Sequence, residues 1–532
     1  MTPTRVSIAL AFAVLLPFGF ALAFALLSYA PRARRPLAVI YGVVMLALNG
    51  LLLEGYMVNS KLVGWGSLKM SRYGFPVFLV LTFMSAAIVL YKGAGRGEDK
   101  RSPGLLLASI VAATGFGALA ALSSAIAGFA LCWEGATAAA LVGLAAHGSS
   151  GFRGRLISFI PWLAADGLFI VGVILVRSLL KEGGLLITQP LIHGSETQVE
   201  LIMLLFLASA ALRLGIFPLN VRRRDLVRRC DGSWNAFFLC TLNVLLTGYF
   251  LLVTSALIAR LSTADWSLLI ALAGLLSVVA GPLLAARSRG YSGYLSGILT
   301  MTGGLLFLCA GLYSRAGLES FLLLLLTTPL ALSAMTLAAG RLSMPRLSSP
   351  VETHRVVAPA LMAGLLLAGV SLSALPPSDG FVSRAAAVLA CLDKALANPW
   401  YSLMAALVLA AFALAAYATF TAVPGLLKGG TGAGTSREKA FTAVIPLLAL
   451  LAFFTGVVPG PLVRNLVQPA SRALFVTGFT GPGVVFHAVA DPVSKALAVY
   501  PRWSEAAAAF VLVCALAALL PYLSKGKPAP LT

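Results

Sequence analysis

Apolar segments of about 20 residues recur along the whole chain and are separated by short polar loops. A transmembrane helix needs about 20 predominantly apolar residues, so each segment predicts one span. We expect about fourteen such helices, numbered one to fourteen, between residues 6 and 458, and one more at about 504–522. The pattern therefore predicts an all-α membrane protein with about 14–15 transmembrane helices.

Two of these helices are interrupted by glycine or proline, and each carries an arginine. The arginine is Arg213 in predicted helix seven and Arg384 in predicted helix twelve. A charge within a span is costly unless it faces a bundle interior or a water-filled cavity, so both arginines are candidates for an ion pathway. The predicted helix breaks are Gly215, Pro218, Pro376, Pro377 and Gly380.

The two broken helices lie about five spans apart, which indicates an internal, inverted repeat. Inverted repeats with discontinuous helices place an ion site near the middle of the membrane. We divide the chain into N-terminal helices, a first repeat, a second repeat and a C-terminal part, at residues 1–100, 101–260, 261–422 and 423–532. Residues 460–503 are only moderately apolar and predict an outer loop or a surface-lying amphipathic segment.

Composition agrees with this pattern. The 532 residues are 59% hydrophobic and 11% charged, and the mean hydropathy is +0.95. The formal net charge of +21 comes from lysines and arginines that lie mostly between spans. Because cytoplasmic loops collect these residues, the charge sets the orientation in the lipid bilayer and does not indicate a nucleic-acid partner. We expect a multi-pass protein of the cytoplasmic (inner) membrane.

Sequence motifs give no support for a cofactor or a metal site. The six cysteines are scattered singly, and no CxxC or Cys/His cluster is present. The nucleotide-binding patterns GxGxxG and GxxxxGK[ST] do not occur in a strand-to-helix setting. The four histidines fall in or near loops without a companion ligand, so none is assigned a redox role.

Acidic residues inside predicted spans need a partner. Glu134 lies in the middle of predicted helix five, and a buried carboxylate either takes up a proton or finds a cation, for which Arg213 is the nearest candidate. Alternatively, Glu134 lies at the headgroups, Arg213 extends to the inner surface, or Arg384 belongs to a re-entrant segment. Asp166 is a weaker candidate, and Asp379 looks first like a turn or helix-capping residue.

Three segments resemble a known family, the antiporter-like subunits of respiratory complex I (NADH–quinone oxidoreductase), membrane-bound hydrogenases and Mrp-type sodium/proton antiporters. Trp133 and Glu134 resemble the Trp-Glu of the family's helix five. Residues 211–220 (ALRLGIFPLN) resemble its lysine-containing segment before Phe-Pro on helix seven, and residues 372–384 (LSALPPSDGFVSR) resemble its helix twelve. The resemblance covers nearly the whole chain, and the extra last span looks most like that of the hydrogenase-type members.

The resemblance implies that Glu134 pairs with the cation at position 213 and that a relay of lysines and histidines leads toward position 384. This chain departs from that pattern. Where the family has lysine or histidine on helices eight, ten and eleven, the aligned residues are Leu245, Tyr291, Thr328 and Leu332. Both remaining cations are arginines, which keep their proton essentially always, whereas a lysine can be tuned into a proton acceptor.

The resemblance thus implies a subunit, without redox chemistry of its own, of an oxidoreductase or translocase complex that is quinone-reducing or hydrogenase-like. Its expected partners are other membrane and peripheral subunits, and its expected cargo is protons or monovalent cations. One hypothesis is ion translocation that uses Glu134, water and the residual polar residues. Another is a structural subunit whose degenerate channel conducts nothing, and a third is an unrelated secondary transporter.

Overall fold

The protein is described by a computed structural model that covers residues 3–28, 30–58, 64–65, 68–69, 71–94, 103–146, 151–179, 196–261, 266–288, 290–342, 359–396, 398–428 and 443–478. The predicted span at 504–522, and residues 479–503 of the segment before it, lie outside these ranges. The proposed division into four parts stays a prediction.

The described chain is helical except for two short strands, β1 (Gly64–Trp65) and β2 (Leu68–Lys69), which pair antiparallel. The helices are α1 (Pro3–Leu26), α2 (Pro31–Val58), α3 (Gly74–Ala94), α4 (Pro103–Leu122), α5 (Ile126–Ala145), α6 (Phe152–Leu179), α7 (Glu196–Leu214), α8 (Arg223–Arg229), α9 (Gly232–Trp234), α10 (Asn243–Leu261), α11 (Trp266–Arg287), α12 (Tyr291–Gly311), α13 (Arg315–Leu342), α14 (Pro359–Leu372), α15 (Asp379–Ala395), α16 (Trp400–Lys428), α17 (Val444–Val457), α18 (Pro459–Leu462) and α19 (Gln468–Gly478). Two π-helical segments, Asn235–Leu242 and Val463–Val467, join α9 to α10 and α18 to α19.

Twelve of the described helices are long and apolar enough to cross a membrane, with α9, the first π-helical segment and α10 counted as one. A thirteenth span is possible where α17 and the helix that follows it meet at a bend of 86°. The pair α14 and α15 forms the predicted broken helix twelve. The prediction of an all-α membrane fold with many spans is thereby confirmed.

The core of the bundle lies around α12 and α13. In both helices, every residue of the apolar 18-residue stretch is buried. Only 33% of the corresponding stretch is buried in α2, and 39% in α5 and α6. A helix that is apolar and buried all round lies inside the bundle, while one with an exposed apolar face borders lipid or another subunit. The helices α2, α5 and α6 therefore form part of the periphery.

Both predicted breaks are present and share one backbone geometry. A left-handed residue ends the first half-helix in each case, Gly215 with φ of 54° and Ala374 with φ of 58°. The N–H of that residue donates to the carbonyl three residues earlier, and the next N–H donates to the carbonyl five residues earlier. This is the Schellman motif, which satisfies carbonyls that a helix end leaves without partners. The predicted internal repeat stays a prediction, because this motif is common at helix ends.

The predicted break residues do not all lie in the breaks. Pro218 lies between α7 and α8, and Pro376 and Pro377 lie between α14 and α15, each pair of helices being joined through a cis X-Pro bond. Gly380, in contrast, lies in the first turn of α15. A Cβ atom there would lie 1.7 Å from the carbonyl oxygen of Ser371, so glycine at position 380 allows α15 to pack against the end of α14.

The predicted outer segment begins as a helix. Residues 463–474 bury one face, on which Val467, Ala470 and Ser471 are fully buried, and expose the other. The Ser471 hydroxyl donates to the carboxylate of Glu319 on α13 at 3.3 Å. The outer-loop alternative is therefore wrong for the described part of residues 460–503.

Candidate functional site

Arg213 lies at the C-terminal end of α7, and its side chain is 1% exposed. Its Nη1 donates to Oδ1 of Asp166 on α6, which is 3% exposed, in an ion pair. The alternative that Arg213 extends to the membrane surface is therefore wrong. The predicted pairing with Glu134 is also wrong, because the acid of α6, and not that of α5, accepts from the guanidinium.

Two tryptophans enclose this ion pair. The indole Nε1 of Trp133 donates to the same Oδ1 of Asp166 at 2.6 Å. The Arg213 guanidinium lies 4.3 Å from the ring centroid of Trp133 and 4.8 Å from that of Trp162. Cation–π contacts of a desolvated arginine contribute about 2 kcal/mol each. The cation thus has one direct anionic partner and two aromatic faces, all away from water.

Asp166, a weaker candidate from the sequence, is the direct partner of Arg213, and the sequence contains a signal for this role. Trp162 and Asp166 lie four residues apart on α6, so they share one face of that helix. An acid and an aromatic residue on the same face in the middle of a span form a suitable site for a buried cation. The pair Trp162 and Asp166 on α6 therefore predicts a partner for Arg213, just as the Trp-Glu motif on α5 does.

Glu134 lies near the middle of α5 and not at its end, so the headgroup alternative is unsupported. It interacts electrostatically with both Asp166 and Arg213. Its Oε1 is nevertheless buried and accepts no hydrogen bond. The residues one turn before and after it, Leu131 and Ala138, are exposed on the outer face of α5. Glu134 therefore lies between the buried ion pair and the periphery of the chain.

The first break is closed by a second arginine. Arg223 on α8 is 8% exposed, and its Nη2 donates to the carbonyl oxygen of Arg213 at 3.1 Å. The side-chain amide of Asn243 donates to the same oxygen at 2.9 Å. Carbonyls at a helix C-terminus carry partial negative charge, so a cation is favourable here. A Cβ at Gly215 would lie 2.5 Å from Nη2 of Arg223, so glycine also makes room for this cation.

The second break is closed in the same way by Arg384, which is 2% exposed. Its Nη1 donates to the carbonyl of Leu372 at 2.6 Å and to that of Ser371 at 3.4 Å. Leu372 lies two residues before the left-handed Ala374, just as Arg213 lies two residues before the left-handed Gly215. Arg384 therefore does at the second break what Arg223 does at the first, namely donate to a carbonyl at the end of the half-helix. From the sequence alone, Arg213 looks like the equivalent of Arg384.

Asp379 is a buried carboxyl group within the second break. Its exposure is 2%, and its Oδ1 accepts a hydrogen bond from the Ser371 hydroxyl. The N-cap of α15 is Ser378, whose side chain accepts from the N–H of Phe381 at 3.3 Å. The interpretation of Asp379 as the capping residue is therefore wrong, and the acid is left for another role.

Between the two breaks, the described helices contain pairs of buried hydroxyl groups. The Thr241 and Ser333 hydroxyls lie 3.0 Å apart, and those of Tyr294 and Thr419 lie 2.9 Å apart. Leu245 is fully buried and apolar. Among the described residues, no three His, Cys, Asp or Glu side chains are grouped so that they could hold a metal ion.

Solved structures of membrane complexes contain chains with this fold. A chain of the Mrp complex from Dietzia sp. DQ12-45-1b superposes with a TM-score of 0.73 at 18% identity, over 98% of this chain and 57% of that chain. A chain of the membrane-bound sulfane sulfur reductase, an archaeal respiratory membrane complex, gives 0.73 at 18% identity, over 87% and 97% of the two chains. A chain of respiratory complex I from Thermus thermophilus gives 0.69 at 21% identity, over 88% and 100%.

These similarities confirm the antiporter-like fold that the sequence motifs suggest. The chain spans little more than half of the Mrp chain that it matches. No model of a protein family matches it, and no curated protein does. Because the identities are low, the roles of individual residues have to be argued from the geometry of this chain.

Proposed function

We propose that this chain is a proton-translocating, antiporter-like membrane subunit of a redox-driven energy-converting complex. Its fold occurs in membrane complexes of several subunits, which supports partner subunits. The observation that carries translocation is the carboxyl group of Glu134, which lies beside the Arg213–Asp166 ion pair with one buried oxygen that accepts no hydrogen bond.

The transported proton has to be carried by carboxyl groups, because the interior cations are arginines. Arginine keeps its proton under all physiological conditions, so Arg213 acts as a fixed charge. The Oδ1 of Asp166 accepts from both the guanidinium and the Trp133 indole. A second negative charge beside Asp166 is unfavourable, so Glu134 holds a proton while the pair is closed. A rearrangement that turns Arg213 toward Glu134 favours the carboxylate and releases this proton.

The geometry of both breaks favours protons over metal cations as cargo. Unwound backbone carbonyls and half-helix ends are the groups that coordinate sodium in transporters with discontinuous helices. Here the carbonyl of Arg213 accepts from Arg223 and Asn243, and the carbonyl of Leu372 accepts from Arg384. A positive guanidinium thus takes the place that a bound cation would need.

The position of Glu134 also suggests how the subunit connects to its complex. Leu131 lies one turn before Glu134 within the same span, and it is 75% exposed. A neighbouring subunit packed against Leu131 would bring Glu134 into an interface, where its protonation could respond to the neighbour. The segment after α7, which includes α8, has the sequence VRRRDLVRR at 221–229. By the charge rule, this excess of arginine favours a cytoplasmic location for this end, as we expect for a complex of the cytoplasmic membrane.

The test is Glu134→Gln in the assembled complex, measured by proton uptake into inverted vesicles and by assembly on a native gel. We expect normal assembly and loss of proton uptake. Glu54→Gln is the matched control, because Glu54 is also in a span but is exposed on α2. Unchanged uptake in the Glu134→Gln complex would contradict the proposal.

The second candidate is a structural subunit that conducts nothing. It is favoured by one observation, namely that the interior cations are arginines engaged with carbonyls or an acid. Such bonds hold helices together without exchanging protons. Loss of assembly in the Glu134→Gln variant, with normal uptake by whatever complex remains, would support this function.

A further inference from the structure

The second break contains a buried carboxyl group to which no function is assigned above. Asp379 is the first residue of α15 and is 2% exposed. One of its oxygens, Oδ1, accepts from the hydroxyl of Ser371 across the break. The other, Oδ2, is buried and has no hydrogen-bond partner. The Gly380 N–H and the Thr327 hydroxyl also interact with the carboxyl group, so all the donors around it are neutral.

A cation lies close by without pairing with this acid. Arg384 interacts electrostatically with Asp379, but its Nη1 donates to the carbonyls of Ser371 and Leu372. Ser371 therefore serves both groups, with its hydroxyl bound to the acid and its carbonyl bound to the guanidinium. The two charged residues share one site without a direct ion pair.

This arrangement suits a group that binds and releases a proton. A buried carboxylate that lacks a charged donor is costly, so the neutral acid is the favoured form. The fixed charge of Arg384 lowers the cost of the anion and keeps both forms accessible. Asp166 differs, because its Oδ1 accepts from both a guanidinium and an indole, although its Oδ2 is also without a hydrogen-bond partner.

Few other titratable groups are positioned to compete for this proton. The sequences of α14 and α17, which pack around the site, contain no titratable side chain. On α13, Glu319 is bound by Arg315 at 3.2 Å. On α12, the hydroxyl of Tyr294 pairs with Thr419 of α16. Asp379 is therefore the acid in the described part of this site that can exchange a proton.

The backbone of α17 seals the site. A Cβ at Gly456 would lie 2.0 Å from the carbonyl carbon of Ser378 and 2.1 Å from the nitrogen of Asp379. Contact this close excludes lipid and bulk water from that side. A proton reaches Asp379 only through the polar interior of the bundle or through a transient opening of the break.

We infer that Asp379 is the proton-binding residue of the second break and that Arg384 is its fixed counter-charge. In the step, Oδ2 gains a proton and the group passes from anionic to neutral; release reverses this. The inference rests on the proposed translocation and adds to it a second proton site, in the other half of the chain from Glu134.

The direct test is infrared spectroscopy of the full chain in its complex, reconstituted in lipid nanodiscs. Selective carbon-13 labelling of aspartate identifies carboxylic-acid carbonyl bands that come from aspartate. We expect a band of a buried, protonated aspartic acid in the wild type, its loss in Asp379→Asn, and its persistence in Asp393→Asn. Asp393 is a suitable control because it is a half-buried acid on the same helix. An identical band in Asp379→Asn would overturn the inference.

A second variant keeps the test decisive if Asp379→Asn does not assemble. Ser371→Ala retains the acid but removes the donor to Oδ1, so we expect the aspartic-acid band to remain and to shift in frequency. An unshifted band means that the protonated aspartate lies elsewhere, which overturns the inference.

Proton uptake into vesicles separates this inference from the proposed function. We expect Asp379→Asn to abolish uptake. Loss of the band with unchanged uptake overturns the role of Asp379 in transport. If Glu134→Gln leaves uptake unchanged while Asp379→Asn abolishes it, the role assigned to Glu134 fails and the site at Asp379 stands.

Discussion

Arg223 and Arg384 hold the same position relative to the two helix breaks. Each guanidinium donates to the carbonyl of the residue two positions before the left-handed residue, at 3.1 Å for Arg223 and 2.6 Å for Arg384. A cation at the C-terminus of a half-helix is favoured by the helix dipole and satisfies a carbonyl that has no helical partner. The two halves of the chain thus repeat a capping charge, while the tryptophan-enclosed ion pair belongs to the first half.

The first prediction concerns these capping arginines. We expect Arg223→Met and Arg384→Met each to destabilise the protein, since a hydrogen bond to a charged group contributes about 1.5–3 kcal/mol and its loss leaves a buried carbonyl unsatisfied. The measurement is thermal unfolding of the purified protein in detergent. Arg222→Met is the control, because Arg222 is exposed. Equal unfolding temperatures for all three variants would show that the caps contribute nothing.

The second prediction distinguishes the two acids near Arg213. Asp166→Asn leaves the guanidinium buried without its anion, and breaking a buried pair on one side costs about 3–5 kcal/mol. Glu134→Gln removes no ion pair, so we expect little change in stability. Thermal unfolding of both variants checks this difference.

The double variant Asp166→Asn with Arg213→Gln provides the control. Neutralising both partners removes the uncompensated charge, so much of the lost stability should return. A greater loss of stability in Glu134→Gln than in Asp166→Asn would contradict the ion pair seen in the structure.

The sequence predicts the spans and the breaks well, because both depend on local chemistry. Apolar length determines a transmembrane helix, and a left-handed glycine or a proline ends one. Gly215 and Pro218 are recognisable for this reason. Gly380 is not a break, because the need for glycine there comes from the approach of Ser371, a tertiary contact that composition does not reveal.

The partner of Arg213 could not be predicted, because the sequence does not give the rotation of a helix in the bundle. Neighbouring residues on a helix point about 100° apart, as 3.6 residues make one turn. Trp133 faces the ion pair, and Glu134 lies toward the exposed face of α5. The Trp-Glu motif contains both residues, so it does not determine which of the two side chains faces the cation.

The third prediction separates the hydrogen bond from the cation–π contact at Arg213. Trp133→Phe keeps an aromatic face but removes the N–H that donates to Asp166, so we expect a loss of about 1–2 kcal/mol. Trp162→Phe removes no hydrogen bond to Asp166 and weakens a cation–π contact and the ring contacts with Phe159 and Trp234, so it should cost less. Thermal unfolding compares the two variants. If Trp162→Phe were the more destabilising, the indole hydrogen bond would not be what orders this site.

The last prediction concerns the close packing at the second break. Gly380→Ala places a methyl group where the Ser371 carbonyl lies, 1.7 Å away, and backbone cannot move as a flexible side chain would. Overpacking costs about 1–3 kcal/mol and occasionally more, and we expect the upper end here. Gly50→Ala is the control, since a Cβ there meets nothing within 4 Å. Thermal unfolding should separate the two variants clearly. Because Ser371 binds both Asp379 and Arg384, its displacement should also shift the aspartic-acid band, and an unshifted band in a destabilised variant would mean that Ser371 is not the donor to Asp379.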